Sequence, residues 1–287
     1  MSDKHIDEIS GTETTGHEWD GIRELNTPMP RWWLWTFYAT VIWGLGYTIA
    51  YPAWPLINSA TTGILGYSSR ANVATEMAAA EAAQEQYLNQ IAAMPVGEIA
   101  ANPALLQFAT AGGAAAYRVN CVQCHGSGAQ GSPGYPNLND DAWIWGGDID
   151  SIYHTIAHGV RFDTDADTRF SEMPAFGDLL DSSEIRETAA YVYSLSGEPA
   201  DPSMVAAGAE IYADNCAVCH GDNGMGDVEF GAPNLTDAIW LYGDTEADIA
   251  QQIANPTHGV MPAWQARLGE PTIKKLAVFV HSLGGGQ

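Results

Sequence analysis

Two short runs hold the residues best suited to do chemistry: Cys121-Val122-Gln123-Cys124-His125 and Cys216-Ala217-Val218-Cys219-His220. In each, a histidine directly follows the second of two closely spaced thiols. Two thiols at that spacing can add across the vinyl groups of one haem, and the adjacent imidazole then faces the iron as its first axial ligand. All four cysteines of the 287-residue chain lie in these runs, which leaves none for a structural disulfide elsewhere. A disulfide within either run is the weaker reading, since it gives the histidine no role. Zinc is the other rival. It needs four tetrahedral ligands, and each copy offers two cysteines and two histidines only if His158 or His258 is included.

A second axial ligand must come from elsewhere. Met173 follows the first run and Met261 the second, and each precedes a proline. Proline holds the residue before it extended, which suits a side chain presented from a loop. Histidine–methionine ligation raises the potential and fills both axial positions, an arrangement for electron transfer rather than for binding substrate at iron. His158 and His258, each followed by Gly-Val, are the competing ligands. Met225 lies too close to the second run and is read as a loop residue. His154 and His281 fall on predicted helices and are read as satisfied or exposed. Asp163, Asp165 and Asp167 resemble the start of a calcium loop. Thr168 and Pro174, however, stand where that loop needs its glycine and its final glutamate, so a solvated loop is the expectation.

The elements that must position these groups occur twice. Tyr117, Asn120, Cys121, Cys124, His125 and Gly126 return as Tyr212, Asn215, Cys216, Cys219, His220 and Gly221. Pro136-Asn137-Leu138 returns as Pro233-Asn234-Leu235, and Met173-Pro174-Ala175 as Met261-Pro262-Ala263. Residues 161–170 are the evident extra loop of the first copy. Each copy is predicted to contain a helix entering the motif, a Gly-rich loop, a short helix near 149–157 or 247–254, a Met-Pro loop and a last helix near 183–195 or 271–283. No alternating strand pattern appears. The halves are expected to be tandem domains at 101–198 and 199–287, an ordinary domain size.

Upstream, residues 32–51 carry no formal charge. As a helix they span about 30 Å, the thickness of a bilayer core. Trp32, Trp33 and Trp35 at one end and Tyr47, Tyr51 and Trp54 at the other resemble interfacial belts. The acidic first thirty residues lack the basic start of a signal peptide, so an uncleaved anchor at 32–52 is expected. Bacteria attach haem to this motif outside the cytoplasmic membrane. Residues 1–31 are therefore expected to be cytoplasmic, and residues 53–100 to be a periplasmic linker. Within it, Val73, Met77, Ala80, Ala83, Tyr87, Ile91 and Met94 fall at helical spacing, for either a spacer or a docking helix. The formal charge of -24 argues against a nucleic-acid partner and for a cationic protein one.

The stretch WDGIRELNTPMPRWWLWTFYATVIWGLGY, with the SEMPAFG and GVMPAW loops, resembles subunit III of cbb3-type cytochrome c oxidases, the FixP or CcoP family. The resemblance runs from about Glu18 to Leu283. It implies a mainly α fold, with one N-terminal transmembrane helix followed by two tandem class I cytochrome c domains. It implies two covalently bound haems c, one held by Cys121, Cys124, His125 and Met173, the other by Cys216, Cys219, His220 and Met261. It also implies a bacterial inner-membrane subunit that is not itself the site of oxygen reduction. Such a subunit takes electrons from a donor cytochrome c and passes them to the monohaem and catalytic subunits of a proton-pumping oxidase. The alternatives are a dihaem peroxidase, which needs an iron whose sixth position can open, and a membrane-anchored dihaem cytochrome of another respiratory complex.

Overall fold

The computed structural model describes residues 5–286. Residues 1–4 of the expected cytoplasmic segment, and residue 287, lie outside the described residues. The chain forms two compact units that divide at residues 83/84.

In the first unit, β1 (Thr14–Trp19) and β2 (Ile22–Leu25) form an antiparallel hairpin, with Glu18 opposite Arg23. Asp20 and Gly21 both adopt positive φ at its tip, the twisted two-residue turn that Asp-Gly favours. Next comes α1 (Arg31–Ala50), exposed along nearly its whole length. The amides of Ile64 and Leu65 fold back onto the carbonyls of Ile49 and Ala50 and close its C-terminal end. By mean hydropathy, no helix among the described residues is long and apolar enough to cross a membrane. The length is present in α1, but Trp32, Trp33, Trp35, Trp43, Tyr38 and Tyr47 dilute its aliphatic content.

The helix α2 (Ser69–Ala93) continues from the first unit into the second. Of its expected apolar stripe, Val73, Met77 and Tyr87 are exposed, and Ile91 is buried. The C-terminal end docks: Tyr87 stacks on Phe108, and the buried Lys274 ammonium donates to the carbonyls of Ile91, Ala92 and Met94. That cation also pairs with Glu270, so its charge and all its donors are satisfied.

The rest of the second unit is helical: α3 (Val96–Ala101), α4 (Pro103–Asn120), α5 (Val122–His125), α6 (Ile149–His158), α7 (Ser182–Ser194), α8 (Val205–Asn215), α9 (Ala217–His220), α10 (Glu246–Ala254), α11 (Gln265–Leu268) and α12 (Glu270–His281). Their starts are written in the sequence. Asn102 caps α4 just before Pro103, Asp148 caps α6, and Asp181/Glu184 and Thr245/Asp248 form capping boxes on α7 and α10. Each such cap is worth about 1 kcal/mol.

The helices build two cores, and these do not follow the two sequence halves. One core joins Leu105, Ala109 and Tyr117 of α4 with Ile152 and Ile156 of α6 and with Ile273, Leu276, Ala277 and Val280 of α12. The other joins Phe176, Ala189 and Val192 with Tyr212, Cys216, Ile249 and Ile253. Packing thus joins α4 and α6 with α12, and α7 with α8 and α10, across the boundary between the expected halves 101–198 and 199–287. The second core is continuous, from about residue 173 to 254, and sits as an insertion within the first. The connection from α7 to α8 is short, and consecutive helices so joined pack as neighbours. Once α7 is taken by α8, the free face of α4 is covered by α12.

The neck of the insertion is visible. Val160 and Met261 exchange both backbone hydrogen bonds, at 3.0 Å each, where the chain leaves the first core and returns to it.

Candidate haem centres

Each motif coils into one tight turn. The amides of Cys124 and His125 donate to the Cys121 carbonyl, and those of Cys219 and His220 donate to Cys216. Residues at i, i+3 and i+4 of such a turn share a face, so both sulfurs and the imidazole are presented together. None of the four cysteines is paired in a disulfide. Burial pushes the Cys121 and Cys216 thiols up to about 11, which keeps them protonated in the bare polypeptide.

The two histidines are fixed in the same way. His125 Nδ1 lies 3.1 Å from the Pro136 carbonyl, and His220 Nδ1 lies 3.1 Å from the Pro233 carbonyl. A carbonyl only accepts, so each Nδ1 carries the proton and each Nε2 keeps its lone pair for a metal. Burial lowers both imidazoles below the usual histidine range, although the carbonyl pulls the other way. A neutral ring with a free Nε2 is the donor that a haem iron requires, and it anchors the fit of haem to this chain.

The repeat also supports the turn behind each histidine. Tyr117 Oη donates to the Gly126 carbonyl at 2.9 Å, and Tyr212 Oη donates to Gly221 at 2.8 Å. Gly126 and Gly221 both adopt positive φ, which bends the chain away after the histidine.

Cys216, Cys219 and His220 line a cavity of about 1040 Å³ together with Met173. That is the upper end of the size range for ligand pockets. The cavity walls include Leu235 and Trp240, and the loop of the first motif, from Gln130 to Trp145, borders it as well. Met261, in contrast, packs on the first core, as do Cys121 and Trp264. In packing, Met261 lies on the core that also takes Cys121, and Met173 on the core that contains Cys216, across the pairing implied by the resemblance. The reason is the insertion: the strand pairing at Val160 returns the Met261 loop to the first core.

The rival histidines are placed too. His158 Nδ1 lies 3.1 Å from Asp165 Oδ1, and its ring stands 4.7 Å from that of His154. His158, Asp165 and Asp167 bring ligand atoms within 4.8 Å of one another. Asp165 is already engaged by the His158 ring and by the Asp167 amide, so these groups close the 161–170 loop on itself. His258 borders the cavity of the second motif, as does Met225.

Comparison with known proteins gives the family. Residues 11–58 match the N-terminal domain of cytochrome oxidase-cbb3, FixP. Residues 108–192 and 203–280 match the family cytochrome c oxidase, cbb3-type, subunit III. The chain is 61% identical over 284 residues to the cbb3-type cytochrome c oxidase subunit FixP of Sinorhizobium medicae, covering 99% of this chain and 98% of that one. It is 62% identical over 284 residues to the FixP subunit of Rhizobium meliloti, again covering 99% and 98%. It is 55% identical over 276 residues to the CcoP subunit of Cereibacter sphaeroides, covering 96% and 95%. The chain belongs to the subunit III family of cbb3-type cytochrome c oxidases, whose members are the FixP and CcoP cytochrome subunits.

Proposed function

We propose that the chain is the dihaem electron-transfer subunit of such an oxidase, receiving electrons from a donor cytochrome c and passing them to the monohaem and catalytic subunits. The observation that carries this reading is the duplicated motif turn, with each histidine Nδ1 tied to a proline carbonyl and each Nε2 left free. When bound, haem supplies one-electron chemistry at iron. Cys121 and Cys124, and Cys216 and Cys219, would hold the two macrocycles covalently. His125 with Met261, and His220 with Met173, would supply the axial pairs. Ligands from both a histidine and a methionine would leave no open position for oxygen or peroxide, which suits electron transfer. At the second motif, apolar wall residues such as Leu235 and Trp240 would limit water beside the bound group.

The anchor belongs to the same proposal. From Trp32 to Ala50 the helix α1 carries no charge, exposes apolar side chains along its length and bears tryptophans and tyrosines toward its ends. Indole and phenol sit well at a membrane interface even though they lower the mean hydropathy of a span. In this reading the chain is a single-pass protein of the bacterial inner membrane, with residues before 31 in the cytoplasm and the haem unit in the periplasm.

Purification from native membranes tests the function. Haem stain should remain on the 30.7 kDa band under denaturing conditions, the intact mass should show two added haems, and a haem-copper oxidase should copurify. A mass equal to that of the bare polypeptide, or copurification with an unrelated dehydrogenase, contradicts the reading.

A further inference from the structure

Arg161 stands at the neck between the two cores, immediately after Val160. Its backbone φ is +51°, a region that side chains other than glycine rarely occupy. Its half-buried guanidinium reaches in two directions. Nε donates to the Gly259 carbonyl at 2.7 Å, and Nη1 donates to the Ser171 carbonyl at 2.8 Å. Gly259 lies two residues before Met261, and Ser171 two residues before Met173. One side chain therefore grips both methionine loops at equivalent points.

From this geometry we infer that Arg161 is a positioning residue for both haem sites: its guanidinium sets the two axial-methionine loops together. The inference rests on the haem reading above and adds a coupling to it. A guanidinium suits the task because its donors are rigidly spaced and permanently charged. Charge-assisted bonds to carbonyls are stronger than neutral ones. The strained backbone at Arg161 aims the side chain into the gap between the loops, while the bridge from Val160 to Met261 fixes where that gap lies. The remaining nitrogen, Nη2, is not needed by either loop. Arg161 also borders the cavity of the second motif, so the rival role is a counter-charge acting on the His220 site alone.

The two roles separate in Arg161→Gln and Arg161→Lys, measured in the intact dihaem protein. The readouts are the near-infrared band of methionine bound to ferric iron, both haem potentials, and imidazole binding to the ferric protein. If the clamp holds, Arg161→Gln weakens the band at both haems and lowers both potentials. Imidazole affinity then rises on the order of tenfold at each iron, since each loop loses a charged hydrogen bond. Lysine keeps the charge but lacks the fork, and restores these properties only in part. The clamp is overturned if only the His220 haem responds, if lysine restores everything, or if neither haem changes. Haem content and the far-ultraviolet circular dichroism spectrum distinguish loss of fold. If the wild-type protein lacks the methionine band, methionine ligation fails and the clamp with it, while haem stain and intact mass still report haem attachment.

Discussion

Tyr117 and Tyr212 hold equivalent places, each donating its phenol to the glycine carbonyl that follows a motif histidine. Both are buried, and burial pushes both phenols up to about 12. A raised folded-state pKa means that the folded state favours the protonated phenol. That contribution is full below the unfolded value near 10 and is lost as pH rises toward about 12. Tyr117→Phe should cost about 1 kcal/mol at neutral pH, through the lost hydrogen bond. Urea titrations of Tyr117→Phe should also show a smaller drop in stability between pH 10 and 12 than the wild type; an equal drop would remove Tyr117 from the alkaline transition. At this scale the sequence was informative. The motif histidines, the Tyr repeat and the Met-Pro loops were all legible, because each is fixed by local spacing. Arg161 was not singled out: it lay in what read as an extra loop, and its carbonyl partners are distant in sequence or on the far side of that loop.

The helices cross where the repeat places glycine. A Cβ on Gly113 would collide with the Lys275 carbonyl and the Phe279 side chain, so α4 and α12 approach closely there. One turn on, Tyr117 packs against Phe279 with ring centroids 5.4 Å apart. In the other core, Gly208 meets the Glu187 carbonyl, and Tyr212 packs on Tyr191 at 5.0 Å. Gly113→Ala should destabilise the protein by about 2–3 kcal/mol through overpacking. Gly112→Ala meets only the flexible Lys275 side chain and should be near neutral, helped by alanine's helix propensity. Equal thermal unfolding shifts in the two variants would argue against a backbone-limited crossing. The helices themselves were legible from their caps and apolar spacing, but the partners were not. A duplicated sequence offers each N-terminal helix two equivalent C-terminal helices, and pattern alone does not choose between them. The deciding signal was the short connection from α7 to α8, which makes those two neighbours and assigns α12 to α4. The hairpin near the N-terminus was also missed, although Asp20-Gly21 carries its turn signal.

Across the whole molecule, charge and core topology have separate consequences. Residues 54–287 hold 28 acidic against 8 basic side chains. A field of that sign attracts and orients a donor with a basic face, over a reach of about 8 Å at physiological salt. The bimolecular rate of reduction by a basic cytochrome c should fall steeply as salt rises, while a small neutral reductant should be nearly unaffected. A flat salt dependence would point to apolar docking instead. The nested cores make a sharper claim, that each motif histidine takes its methionine from beyond its own sequence half. The second core is continuous in sequence, so it is the better one to isolate spectroscopically. A variant with Cys121, Cys124 and His125 replaced by alanine should carry only the haem at Cys216–His220. In that background, the most direct measurement is the ferric near-infrared methionine band after Met173→Leu and, separately, after Met261→Leu. The nested fold predicts that the band disappears with Met173→Leu and survives Met261→Leu. Survival with Met173→Leu and loss with Met261→Leu would contradict it and restore two self-contained tandem domains.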